Sequence, residues 1–239
     1  MSVELLGFNV DTYRFEEAIA CAKSLIDGNK VSQIITINPE MFECANKDNE
    51  FALILKDAEM VIPDGVGVYA ALKICGYKAE RIPGIDFALS LLKETACNDI
   101  PVAIIGSKSD VIESAIQNLK KQISGLNIVY YHDGYFNDDN EIYSELLKAT
   151  PKLVLVAMGS PKQEKFIYNA KKILKPCVMA GIGGSLDVWS GKVKRAPKIF
   201  RVVGLEWLYR ICTQPSRIKR VLPTLPKFIL RVLNYKYTK

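Results

Sequence analysis

Seven short apolar runs, at 3–7, 32–37, 59–62, 101–105, 127–131, 152–158 and 177–181, alternate with amphipathic stretches. Examples are FEEAIACAKSLI, FALSLLKETA, DVIESAIQNLKKQI and KQEKFIYNAKKIL. Runs of this length suit buried strands, and the stretches between them space apolar residues three and four apart, as a helix on a sheet requires. Strands alternating with helices read as βαβ units, so the chain is expected to be an α/β protein with a mostly parallel sheet flanked by helices. With 239 residues it can bury a sizeable core in one such domain plus an extension, without disulfide or metal staples.

In an open parallel sheet the strand-to-helix junctions share one edge, where ligands bind and helix N-termini offer N–H groups to anions. The polar residues of this chain gather at those junctions. ITINPE brings Thr36, Asn38 and Pro39, VIPDGVG brings Asp64, and AIIGSKSD brings Gly106 and Ser107. VAMGSPKQE brings Gly159, Ser160 and Gln163, and MAGIGGSLD brings Gly181, Gly183, Gly184, Ser185 and Asp187. Each has a plainer reading. Asn38-Pro39 suits an N-cap with proline at the first helical position, Asp64 is another cap, and Ser160 to Gln163 matches a capping box. Capping does not account for so many adjacent junctions rich in Gly, Ser, Asn and Asp, nor for Arg81 in GYKAERIPG.

Several function classes are absent from the pattern. GIGGSLD lacks the dinucleotide spacing and follows the last strand rather than the first, and there is no Walker A lysine loop. His132 stands alone, without a nucleophile motif, so no Ser-His-Asp set is expected. The six cysteines form no C-x-x-C pair and read as small buried residues in a reducing cytoplasm, with no metal site and no cofactor. Asp138-Asp139 reads as solvated acids at a helix start. No apolar run reaches the roughly 20 residues of a membrane-spanning helix. MSVELLGFNVDTYRF does not have the form of a signal peptide.

Charge divides the chain. From Arg195 to Lys239 there are eleven Lys/Arg against one acid, Glu206, a net of +10; of the total +6, that leaves −4 for residues 1–194. The pattern also turns all-helical there, so a boundary is placed near 194, with a globular domain at 1–194 and a helical appendage at 195–239. Ile218, Val221, Leu222, Leu225, Phe228, Ile229, Val232 and Leu233 form an apolar stripe, and Pro223 and Pro226 are expected to kink or break it. The stripe alone would suit docking on the core. Its basic surroundings favour an amphipathic segment on an anionic membrane surface, and the two are compatible. Trp207, Tyr209, Phe228 and Tyr235 lie among the basic residues, yet no nucleic-acid-binding motif is present, so no nucleic-acid partner is expected.

TINPE, IPDGVGV, ERIPGID, HDGYF, MGSPKQE and GIGGSLDVWSGKVKRAP with GLEWLYR, in this order, resemble the WecG/TagA/CpsF glycosyltransferases, family 26. The likeness runs from about Leu6 to Arg220 and is greatest to the N-acetylmannosaminyltransferases of wall teichoic acid synthesis. It implies a Rossmann-like α/β domain with a C-terminal appendage. It also implies inverting, metal-independent transfer of N-acetylmannosamine from UDP, in a β-1,4 link, to N-acetylglucosamine on undecaprenyl diphosphate. The motifs put Asp64 at the proposed catalytic base and Thr36, Arg81 and Gln163 at active-site positions. They put Tyr135 and Asp187 near the uridine site, and Arg210, Arg217 and Arg220 at appendage arginines that complete the pocket at the membrane. The implied location is the cytoplasmic face of the cell membrane, with a homo-oligomer among the open options.

On chemical grounds an inverting transfer needs a base for the acceptor hydroxyl, and Asp64, behind an apolar strand, should have a raised pKa. Arg81 and the appendage arginines would meet the charge of the leaving diphosphate. Thr36, Asn38 and Gln163 would orient sugar hydroxyls, and Gly159, Ser160, Gly183 and Gly184 would let backbone approach the donor. Asp187 would bind ribose. Related enzymes use UDP-N-acetylmannosaminuronic acid or UDP-glucose, and a non-catalytic nucleotide sensor at the membrane shares the crevice and the basic tail.

Overall fold

The computed structural model describes residues 1–213 and 218–238. The chain opens with an antiparallel hairpin, β1 (Ser2–Leu5) and β2 (Phe8–Asp11). The apolar run at 3–7 is thus not a strand of the main sheet. Leu6 and Gly7 both take positive φ, 53° and 82°, which closes a two-residue turn of the hand that suits twisted strands. Leu-Gly is not the Asn-Gly or Asp-Gly that marks such turns, so the sequence does not announce β2.

The other six runs all form strands: β3 (Ser32–Ile37), β4 (Met60–Pro63), β5 (Val102–Gly106), β6 (Ile128–His132), β7 (Leu153–Ala157) and β8 (Val178–Gly181). They make one six-stranded sheet of order β4-β3-β8-β7-β5-β6, with every pair parallel. Side chains alternate between its faces, as the two-residue strand period requires. Ile34, Ile62, Ile104, Leu155 and Ala180 point to a layer made by α1 (Phe15–Ile26), α5 (Gly84–Cys97), α6 (Ser109–Gln122) and α9 (Ser185–Trp189). Ile35, Ile37 and Val61 point to the opposite layer, against α2 (Pro39–Ala45), α3 (Asn49–Asp57) and α4 (Gly65–Ile74). On that same face Ile105, Val156 and Met179 meet α7 (Asp139–Ala149) and α8 (Lys162–Ala170). Both faces are covered, which is why the strands read as near-continuous apolar runs.

This strand order positions the site. The last strand inserts between β3 and β7, so the ends of β4, β3, β8 and β7 stand side by side. The junctions carrying Asp64, Asn38, Gly183 and Gly159 thereby become neighbours at a point where the chain builds outward in both directions, the usual ligand crevice of such a sheet.

The tail is helical, with α10 (Lys198–Val202), α11 (Glu206–Thr213) and α12 (Ile218–Thr238). α12 carries Pro223 and Pro226 inside one helix rather than breaking at them. A proline lacks the N–H that would reach the carbonyl four residues back, so only two rungs, both in the N-terminal part, are forfeited. Further along, Phe228 and Val232 are buried in the layer of Leu5, Phe8 and Phe42, with the Phe228 ring 5.3 Å from that of Phe42. Arg231 Nε pairs with Glu43 Oε1 at 3.2 Å, and Tyr235 donates to Glu4 Oε1 at 2.9 Å. The apolar stripe therefore splits. One edge enters the core, while Leu222 and Leu230 stay 62% and 64% exposed. Among the described residues no helix is long and apolar enough to cross a membrane. None of the six cysteines, all among the described residues, is in a disulfide, but only Cys177 is buried; Cys97 and Cys212 are exposed, contrary to their expected place in the core.

Candidate active site

A cavity of about 790 Å³ opens at the ends of β4, β3, β8 and β7. That is within the usual size of a small-molecule site, about 300–1,000 Å³. The floor comes from the junctions, with Thr36, Asn38, Asp64, Gly159, Ser160, Gln163, Gly183, Gly184 and Asp187. Arg81 and Gly84 form one side. The tail supplies the roof, with Glu206, Trp207, Arg210 and Ile211 from α11 and Val221 and Leu225 from α12.

Asp64 occupies the N-cap position of α4 but makes no capping bond with its side chain. Its Oδ1 instead accepts from the Gly84 backbone N–H at 3.2 Å, across the mouth of the cavity. The carboxyl lines the cavity, and its pKa is pushed up to about 6. Burial is the main cause; the Gly84 N–H and the Arg210 guanidinium oppose the rise, and the Glu206 carboxylate adds to it. The upward shift expected from an apolar strand and desolvation is therefore present. A carboxyl with this value is mostly ionised at neutral pH and is a stronger base than an exposed aspartate.

The other junction residues are more occupied than the sequence suggests. Asn38 does cap α2, accepting from the Met41 N–H at 3.1 Å. Thr36 Oγ1 donates to the Gly181 carbonyl at 3.4 Å, which ties β3 to β8. Ser160 and Gln163 do not form a capping box, because the cap of α8 is Pro161. Gln163 Oε1 accepts from two backbone N–H groups, Gly159 at 3.2 Å and Gly183 at 3.1 Å, while its Nε2 donates to Glu164 Oε1 at 2.7 Å. Asp187 lines the cavity and accepts from Ser107 Oγ at 3.4 Å.

Arg81 and Arg210 line the cavity. Arg81 also donates to the Arg201 carbonyl at 2.6 Å, so the tail is tied to the wall that bears it. Arg210 pairs with Glu206 at 2.9 Å, four residues back on α11. Arg195 forms a two-pronged bond to Asp86, at 2.6 and 2.5 Å, at the point where the tail departs. Arg217 lies outside the described residues. Arg220 is carried on α12, with only its backbone described. Tyr135 is not part of the cavity lining: it is 73% exposed on the loop after β6, where its backbone N–H donates to Asp133 Oδ1 at 2.8 Å.

The family model for the glycosyl transferase WecG/TagA/CpsF family matches residues 3–239. The chain belongs to the WecG/TagA/CpsF glycosyltransferase family. Two relatives carry the name N-acetylglucosaminyldiphosphoundecaprenol N-acetyl-beta-D-mannosaminyltransferase. The one from Bacillus spizizenii strain W23 is 37% identical over 212 residues, 88% of this chain and 82% of the relative. The one from Bacillus subtilis strain 168 is 35% identical over 218 residues, 91% of this chain and 85% of the relative. For this WecG/TagA/CpsF member the sequence reading did not place Glu206, Trp207 or Glu164 at the site. Glu206 and Arg210 have the Glu-to-Arg i,i+4 spacing of a helical ion pair, a signal that was available. Glu164 had none, since an acid beside a glutamine in a helix usually faces water. Among the described residues no group of three or more His, Cys, Asp or Glu is arranged to hold a metal ion, and Asp138 caps α7 by accepting from the Asn140 N–H.

Proposed function

We propose that this protein is an inverting transferase that moves N-acetylmannosamine from its UDP donor to the 4-hydroxyl of N-acetylglucosamine on undecaprenyl diphosphate, making a β-1,4 link. The product would serve wall teichoic acid or a related surface polymer. The observation that carries this reading is Asp64: a carboxyl in the cavity floor that makes no capping bond to its own helix, with a pKa pushed up to about 6 by burial. In this mechanism Asp64 takes the proton of the acceptor hydroxyl as its oxygen bonds to the anomeric carbon. The bond from that carbon to the diphosphate oxygen breaks, and UDP leaves with the electron pair. Arg81 and Arg210 meet the charge that develops on the diphosphate. Thr36 and Gln163 would hold sugar hydroxyls in this mechanism, and Asp187 the ribose.

The roof connects this chemistry to a lipid-linked acceptor. Ile199 and Val202 on α10, and Leu222 and Leu230 on α12, are exposed apolar side chains in the basic tail. In this reading they enter an anionic membrane at its cytoplasmic face. Each nearby basic residue would contribute roughly 1 kcal/mol. The test is a panel of UDP-sugars presented with a short-chain N-acetylglucosaminyl diphosphate lipid, read by product mass. Transfer of N-acetylmannosamine alone is the expected result. Transfer of another sugar would replace the donor. Binding of UDP with no transfer from any donor would leave a nucleotide sensor.

A further inference from the structure

Glu164 is 2% exposed, on the first turns of α8 beneath the cavity floor. Its Oε1 accepts from Gln163 Nε2, and its Oε2 is buried with no hydrogen-bond partner among the described residues. Its backbone carbonyl accepts from Gln33 Nε2 at 3.2 Å, and Gln33 is itself fully buried in β3. A carboxyl in such a place has a cost, and burial holds its pKa above the ordinary carboxylate value, against opposing contacts from Gln163 and Ser160. Removing it would be expected to stabilise the chain unless it has another use.

The use lies in its neighbour. Gln163 has a single side-chain oxygen, and it receives the N–H groups of Gly159 and Gly183, which follow the ends of the adjacent strands β7 and β8. An amide turned over by 180° would aim its NH2 group at both of these donors and its oxygen at the Glu164 carboxylate. Only one orientation satisfies all of them: the two N–H donors hold the amide oxygen, and Glu164 is the acceptor that holds the NH2 group on the other side. The fit leaves no slack. A Cβ at Gly181 would lie 2.3 Å from Gln163 Nε2 and 3.1 Å from Glu164 Oε1.

We infer that Glu164 is a positioning residue: by accepting from Gln163 Nε2 it fixes the side-chain amide that clamps the Gly159 and Gly183 loops into one wall of the donor cavity. The inference rests on the proposed sugar-transfer reading only for what the wall binds. The clamp itself is read without activity.

The experiment is amide hydrogen exchange by NMR on the full chain. Glu164→Met keeps an unbranched side chain of similar length and removes the acceptor. It is expected to speed exchange at the Gly159 and Gly183 N–H groups by at least about tenfold, the factor corresponding to a lost hydrogen bond of ordinary strength, with the rest of the sheet unchanged. Glu164→Gln, which retains an acceptor, is expected to restore slow exchange at both. In turnover assays, adding Glu164→Met to Gln163→Ala is expected to give no further loss, because the clamp is already gone. Exchange at both glycines within about twofold of the unaltered protein in a folded Glu164→Met variant would overturn the inference. Should that variant not fold, the side-chain amide of Gln163 in the unaltered protein decides. Protons exchanging as slowly as a buried amide support the clamp, and protons exchanging like those of a surface glutamine refute it. None of these exchange results depends on which sugar is transferred, so failure of the donor assay and failure of the clamp are separable.

Discussion

Asp64→Asn should make the protein more stable at pH 8 while nearly abolishing its chemistry. The folded carboxyl keeps its proton up to about pH 6, whereas an unfolded aspartate releases it near 3.8. Between those values the folded state binds more protons, so this group's contribution to stability falls as pH rises through the window. The gap between the unfolded and folded values corresponds to about 3 kcal/mol as an upper bound. The cavity mouth admits some water, so about 1–3 kcal/mol is the expected gain on replacing the carboxylate by an uncharged isostere. The substitution keeps the contact to the backbone, because the new amide oxygen can still accept from the Gly84 N–H. For a chain of this size 1 kcal/mol moves the midpoint by about 2–4 °C, so Tm should rise by about 2–12 °C at pH 8. Urea titrations of both proteins at pH 4 and pH 8 measure the difference directly. At pH 4 the two should agree within about 0.5 kcal/mol, the scatter expected for a neutral swap. Turnover should fall at least about 100-fold, the low end for loss of a general base. A stability difference that is the same at pH 4 and pH 8 would refute the reasoning. So would an Asn variant that is less stable at pH 8, because it would mean the carboxylate serves the fold as a helix cap.

Four further outcomes are expected. The acid limb of kcat/KM should report a group near pH 6, rising with pH as Asp64 ionises; a limb near 4 would mean an ordinary carboxylate. Glu206→Gln should move that limb down and Arg210→Ala should move it up, since the Glu206 charge raises and the Arg210 charge lowers the Asp64 pKa; shifts of the same sign would contradict the geometry. Leu222→Glu with Leu230→Glu should weaken sedimentation with anionic vesicles at least about tenfold and leave Tm within about 2 °C, because both side chains are exposed. Phe228→Ala should cost about 3–5 kcal/mol by chemical denaturation, as for a large aromatic lost from a core, and a cost under about 1 kcal/mol would mean α12 is not packed as described. The last outcome also bears on truncation after residue 195. Such a deletion would remove Phe228 and Val232 from the core along with the roof, so lost activity in it would not separate the two roles.

Much of this protein is legible in its residues because strand and helix periodicities are local. Six apolar runs become the six strands of the sheet, and their alternation with amphipathic segments is enough to expect parallel pairing. That in turn places Asp64, Thr36, Asn38, Gln163 and the Gly183 loop at one edge, since parallel strands share a carboxyl end. The basic excess after Arg195 is likewise a sum over residues and needs no coordinates.

What tertiary structure alone decided depends on partners distant in sequence. The order β4-β3-β8-β7 makes the junction of the last strand a neighbour of the first of the sheet. The split of the α12 stripe follows from Phe42 and Phe8 receiving Phe228, which no helical period encodes. By its sequence Gln163 reads as a capping-box residue or a sugar ligand; in the fold Gly159, Gly183 and Glu164 share its amide. Glu206 looked like the odd acid in a basic tail until α11 carried it over the cavity. Periodicity tells a residue which side of its own element it occupies; only packing tells it what stands opposite, and the charges and hydrogen bonds of a site are set by what stands opposite.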